Sequence, residues 1–170
     1  FLYNSGTTNV FADMIRVRTG LLLGSYAEQT LFNALGIDNY RWMRMPGNPS
    51  VTFASGGLYV TPRDMLKIGL LFANGGVWNG SSVVSEDWVE ESTTSVVNWQ
   101  SKTSSPQNVN GYGYQWWLSA FDNDEVQTYS ARGWGGQYIV VFPELDMVLV
   151  LTAGAYFEEN VLGLYEIIEN

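Results

Sequence analysis

Ser55-Gly56-Gly57-Leu58-Tyr59-Val60-Thr61-Pro62-Arg63-Asp64-Met65 is the stretch on which the reading of this chain turns. A glycine pair marks a turn and Leu58–Val60 reads as extended. Thr61 then supplies a cap, Pro62 the first helical position and Asp64 an acid in the first turn. Met65, Ile68, Leu71 and Phe72 follow at helical spacing and Asn74-Gly75-Gly76 stops the run, which predicts a helix with both ends written in the sequence. Upstream, Asp38 to Val60 is broken by Pro46-Gly47-Asn48-Pro49 and by Gly56-Gly57, which predicts turns joining short extended pieces. Further upstream, Val10, Phe11, Met14 and Ile15 predict a helix over 8–18 closed by Gly20. Ser25-Tyr26-Ala27-Glu28 reads as a capping box opening a second helix, which carries Leu31 and Leu35 and ends at Gly36.

Downstream, Asn79-Gly80 predicts a turn and Ser85-Glu86-Asp87-Trp88 a short helix, while the polar run 93–110 reads as a surface loop. The period then changes. Tyr112–Leu118, Val126–Ala131, Gln137–Phe142 and Met147–Ala153 are rich in aromatic and β-branched residues and predict consecutive antiparallel strands. On the first of them Trp116 and Trp117 should point to opposite faces. Pro143–Asp146 reads as a turn, Asp122–Glu125 as a solvated hairpin turn, and 158–168 as a closing helix.

The 170 residues suit one domain or a large piece of one, and 46% hydrophobic with 15% charged residues excludes disorder. Lys and Arg number 8 against 17 Asp and Glu, a formal charge of -9, which makes nucleic acid and anionic lipid poor partners. With no His and no Cys, these residues supply neither a Ser-His-Asp set, a thiolate nucleophile nor a disulfide. No metal or cofactor is expected. The longest apolar stretch, Met147 to Phe157, falls short of the ~20 residues of a membrane helix, so no membrane span is expected. The chain opens at Phe1 without an initiator Met or a signal pattern, which reads as a processed chain or a portion of a longer one.

Two clusters invite a chemical reading. Tyr3-Asn4-Ser5 sets a phenol and a hydroxyl two residues apart before the first helix, where a tyrosine is ordinarily a packed or capping residue. Gly133-Trp134-Gly135-Gly136-Gln137 leads into a strand, where glycine marks either a tight turn or the close approach of a ligand.

Taken together with Leu31-Phe32-Asn33-Ala34-Leu35-Gly36-Ile37, the Ser55–Met65 stretch, Gly69–Gly80 and Tyr112-Gly113-Tyr114-Gln115-Trp116-Trp117, these clusters resemble one family. It is the serine β-lactamase and penicillin-binding-protein-like hydrolases, in the branch with class C β-lactamases, D-stereospecific peptidases and related esterases. The resemblance implies an α/β (α+β) sandwich, a mainly antiparallel sheet flanked by helices. The chain would be the C-terminal portion of one such domain, incomplete at the N-terminus, with a helical lobe at about 1–110 and the sheet and closing helix at about 111–170. The family acylates a serine in an S-x-x-K motif. Lys67 and Lys102 are preceded at that spacing by Asp64 and Trp99, so the motif would lie upstream and these residues alone are expected to be inactive.

By the same resemblance Tyr3 takes the role of a proton-relaying phenol, and Ser5 stands where the family more often has Asn. Trp134, Gly135 and Gly136 would bind substrate, and the backbone N–H of Gln137 would be an oxyanion donor. The resemblance implies a small-molecule ester, amide or peptide substrate, cleaved through an acyl-serine by a carboxylesterase, amide-oligomer hydrolase, D-peptidase or β-lactamase-like activity. Trp134 replaces a residue able to meet a carboxylate, which favours the esterase and amide-oligomer hydrolase members over β-lactam hydrolysis. A binding or regulatory paralogue without chemistry is the alternative. Family habit implies a periplasmic or extracellular home, and the absent strands imply pairing with a missing N-terminal segment or self-association.

Overall fold

The computed structural model describes residues 2–98, 109–121 and 125–156. The chain divides into two compact units, 1–64 and 65–170.

In the first unit, α1 (Ser5–Thr19) is capped at one end by Asn4, whose Oδ1 accepts from the Gly6 N–H at 2.7 Å. Gly20 closes the other end at φ 76°, a left-handed position that glycine takes without strain. The helix is the expected one, and of its periodic apolar residues Ile15 is half-buried. Val10, Phe11, Met14 and Val17 are exposed, and Ala12 is the buried residue. Asn9 anchors the inward side of the helix. Its side-chain amide donates to Ser55 Oγ and accepts from the Ser55 N–H, both at 3.0 Å, and this pair fixes the face of α1 that turns inward.

The second helical segment starts earlier than its sequence signal. α2 (Leu23–Ala27) follows an N-cap Leu22 that makes no side-chain cap bond, so Ser25 lies inside the helix rather than at its mouth. Glu28 accepts instead from the Tyr40 hydroxyl at 3.2 Å, which removes the carboxylate the capping box required. One π-helical turn (Glu28–Phe32) and α3 (Asn33–Leu35) complete the segment, and Gly36 ends it at φ 59°. The 38–60 connection then forms β1 (Arg41–Trp42), β2 (Arg44–Met45), β3 (Asn48–Thr52) and β4 (Leu58–Tyr59), with β1 paired to β4 and β2 to β3. Ala12, Ala27, Phe32, Leu35 and Ile37 are buried in this unit, and the Phe32 ring meets Tyr40 edge-on at 4.7 Å.

α4 (Pro62–Ala73) is the helix read from the opening stretch. Thr61 Oγ1 accepts from the Asp64 N–H at 3.2 Å and donates to the Asp64 carboxylate at 2.7 Å. The β5 (Val77–Trp78) and β6 (Ser81–Ser82) hairpin turns at Asn79-Gly80, both residues at positive φ as a two-residue turn of this kind requires. α5 (Glu86–Thr93) is capped by Ser85.

The remaining strands form a six-stranded antiparallel sheet in the order β12-β11-β10-β9-β8-β7. They are β7 (Val97–Asn98), β8 (Val109–Tyr112), β9 (Trp117–Phe121), β10 (Val126–Gly133), β11 (Gln137–Phe142) and β12 (Met147–Leu151). Two expectations need correction. The 93–110 run is not wholly a loop, since its described ends enter the sheet as β7 and the start of β8. Tyr112–Leu118 is not one strand either: the Gly113 N–H donates to the Trp116 carbonyl, Gln115 sits at φ 71°, and the chain reverses between β8 and β9.

Trp116 and Trp117 therefore do not alternate along a strand. Trp116 is buried in the turn, with Tyr129 and Phe72 at 5.2 and 4.7 Å, while half-buried Trp117 opens β9. The Tyr129 phenol beside Trp116 is pushed up to about 12 by burial. Residues 122–124 and the 158–168 closing helix lie outside the described residues.

Alternation along β11 gives the sheet two apolar faces. Val141 joins Trp116 and Tyr129 on one, against Phe72 and Ala73 of α4. Val140 and Phe142 join Phe121 on the other. Gly69 lets α4 lie close against the sheet, because a Cβ there would stand 2.5 Å from Val148 Cγ1 and 2.8 Å from Ile139 Cγ2. No helix among the described residues is long and apolar enough to cross a membrane.

Candidate active site

Tyr3 and Ser5 flank the N-cap of α1. Asn4 is the capping residue, and Tyr3 directly precedes it, 44% exposed. Ser5 is the first helical residue and is exposed; its carbonyl accepts from Asn9 Nδ2 at 3.4 Å. Asn9 thus ties the first turn of α1 to Ser55 in the turn before β4. The one signal of Asn9 in the sequence is a polar residue on the helix face that also carries Ala12. Asn9→Ala should destabilise the protein by about 1–3 kcal/mol, because it removes both bonds to Ser55 and leaves a half-buried partner unsatisfied. Urea titration of the intact protein measures this, with Asn9→Asp, which keeps the acceptor, expected to lose less.

The second group lies in the other unit. β10 and β11 pair through Gly133 opposite Gln137, which leaves Trp134-Gly135-Gly136 as the three-residue connection. Gly135 and Gly136 sit at φ 82° and 88°, a region costly for residues with a Cβ. Trp134 is 73% exposed and meets the Tyr156 ring edge-on at 5.0 Å. The Gln137 side chain donates to the Ala153 carbonyl, so its amide is occupied structurally.

A charged side chain on β10 shortly precedes this turn in sequence. Arg132, two residues before Trp134, donates from Nε to Ser130 Oγ at 2.9 Å and from Nη2 to Ser119 Oγ at 2.7 Å, with its guanidinium 5.8 Å from the Trp117 ring centre. Burial lowers its pKa from the ordinary arginine value, a shift the Tyr138 phenol opposes. An arginine remains a cation under all working conditions. The six residues selected from sequence thus form two local groups, Tyr3 with Ser5 and Trp134 through Gln137, each at the boundary of a regular element.

The protein-family model described as Beta-lactamase matches residues 1–163. A 6-aminohexanoate-dimer hydrolase of Paenarthrobacter ureafaciens is 29% identical over 164 residues, covering 88% of this chain and 38% of the relative. Among solved structures, a provisionally named 6-aminohexanoate-dimer hydrolase from Bacillus anthracis superposes with a TM-score of 0.76 at 24% identity, over 99% of this chain and 41% of that one. A Mycobacterium bovis beta-lactamase gives 0.74 at 21% identity, over 98% and 61%. The mixed helical and antiparallel-sheet architecture is accordingly that of the β-lactamase and penicillin-binding-protein fold. The chain spans about two fifths of the length of the 6-aminohexanoate-dimer hydrolases it matches.

Proposed function

This chain belongs to the beta-lactamase family, whose relatives include hydrolases, and from that premise we propose that it is the C-terminal portion of a serine hydrolase cleaving an uncharged ester or amide. The nucleophilic serine and its lysine, absent from these residues as an S-x-x-K motif, would come from a preceding segment. Attack by the serine on the substrate carbonyl forms an acyl-serine and releases the alcohol or amine; water then attacks the acyl carbon and frees the serine. Tyr3 serves as the acid/base that moves the proton between serine, leaving group and water. Partial exposure of the phenol, with Asn4 as the cap of α1, supports this role. Ser5 offers a hydroxyl to the substrate or to the lysine.

The observation that carries the reading is the Trp134-Gly135-Gly136 connection. Two left-handed glycines at the entry of β11 place no side chain of their own beside the Gln137 peptide, which suits an N–H meant to meet a substrate oxygen. Trp134 presents an indole, not an ammonium, so the site favours an uncharged acyl or leaving group. The Paenarthrobacter relative's name, 6-aminohexanoate-dimer hydrolase, supports an amide bond as the target and does not bear on the preference for an uncharged group.

Trp134→Lys in the intact protein should raise the ratio of nitrocefin to p-nitrophenyl butyrate turnover, because an ammonium can meet the carboxylate of the β-lactam. A fall in both rates with an unchanged ratio would refute the specificity claim. Intact mass after a short reaction with p-nitrophenyl butyrate should show one acyl adduct, and its absence alongside absent turnover would sink the hydrolase reading.

A further inference from the structure

We infer that Tyr156 is a positioning residue for the Trp134-Gly135-Gly136 turn, a role that rests on the proposed function of that turn. The segment after β12 folds back on the turn at several points. The Ala155 N–H donates to the Gly135 carbonyl at 3.2 Å, and the Ala153 carbonyl accepts from the Gln137 side chain. A Cβ on Gly135 would overlap Cε1 and Cδ1 of the Tyr156 ring, and one on Gly136 would stand 2.9 Å from the Ala153 Cβ. The Tyr156 ring therefore lies directly on the Gly135 backbone and at the same time meets the exposed Trp134 indole edge-on at 5.0 Å.

One ring thus touches both functions of the turn, its backbone path and its protruding aromatic side chain. The Tyr156 N–H donates to the Gly154 carbonyl at 2.9 Å, a tight local bend that sets where the ring stands. A three-residue connection with two left-handed glycines has little to hold it in one conformation, since glycine is permissive on both sides of φ. Packing from Tyr156 adds a restraint to the hydrogen bonds from Ala155 and Gln137. Displacing a substrate-orienting group by about 1 Å can cost ~10²-fold in rate. Because Cδ1 and Cε1 make the contact, the ring is the operative feature and the hydroxyl is dispensable.

The test uses the intact protein, labelled with 5-fluorotryptophan, as wild type, Tyr156→Phe, Tyr156→Leu and Tyr156→Ala. The Trp134 fluorine signal is identified by its loss in Trp134→Phe. Tyr156→Ala and Tyr156→Leu should shift and broaden that signal, lower kcat on p-nitrophenyl butyrate by roughly 10–100-fold per folded molecule, and change KM less. Tyr156→Phe should restore both within about threefold. A separate cycle pairs Gly135→Ala with Tyr156→Ala, and the double variant should lose less than the two single losses combined, because the overlap has gone.

An unmoved Trp134 signal with wild-type kcat in Tyr156→Ala, or strict additivity in the cycle, would overturn the assignment. If the wild type cleaves neither esters nor amides, the hydrolase reading fails by itself, while the fluorine signal and the stability of the double variant still decide the packing role.

Discussion

Replacing Tyr3 by Phe in the intact protein is expected to lower kcat/KM on an activated ester by roughly 10²–10⁴-fold, the range for loss of a positioned acid/base group. The substitution removes one oxygen and leaves the ring. Asn4, not Tyr3, satisfies the first turn of α1, so the helix cap survives unchanged. Stability should therefore move within about 0.5 kcal/mol, as for most surface substitutions. The combination separates the two readings of a tyrosine before a helix: a packed residue would alter the unfolding midpoint, whereas a proton relay alters turnover. Steady-state kinetics beside a thermal melt decide it. An unchanged kcat/KM removes Tyr3 from the mechanism.

Phe142→Ala is expected to be the most destabilising of the substitutions considered, by about 3–5 kcal/mol. Phe142 is 2% exposed and packs with Phe121 and Val140, with Leu149 and Leu151 of the neighbouring strand against the same cluster. Its ring centre lies 6.1 Å from that of Phe121. Truncation removes the transfer free energy of the ring and leaves a void that a sheet, pinned by its hydrogen bonds on both sides of β11, collapses into only partly. Leu145→Ala, three residues along in an exposed turn, should change stability by about 0.5 kcal/mol or less and serves as the control. Chemical denaturation of the intact protein gives both values. Equal losses would mean that the Phe121–Val140–Phe142 cluster is not the packing centre of its face.

The elements with chemically marked ends were legible in the sequence. Thr61-Pro62-Arg63-Asp64 opens α4 because a hydroxyl acceptor, a residue without an N–H and an acid each suit the unpaired donors at a helix start. Gly20 and Gly36 close helices because the left-handed conformation costs glycine little. The strands β10, β11 and β12 follow from β-branched and aromatic runs between turn residues, and the candidate site residues follow from motifs at element boundaries. All of these signals act over a few residues, which is why a linear reading finds them.

What only the tertiary structure decided depends on partners distant in sequence. Glu28 abandons its capping box because Tyr40, twelve residues on, takes its carboxylate. α1 turns Ala12 inward on a side anchored by the bonds of Asn9 to Ser55, forty-six residues away. The β8–β9 reversal forms where the Tyr114 N–H meets the Ser92 carbonyl at the end of α5. Gly69, a weak helix former by propensity, is the residue that lets α4 approach Ile139 and Val148. Tyr156, an unremarkable aromatic after a strand in the linear text, lies on Gly135 only because the chain folds back beyond β12. Local propensities of a few tenths to one kcal/mol set the elements, and long-range hydrogen bonds and close packing of comparable or larger size choose which face, register and turn each element adopts.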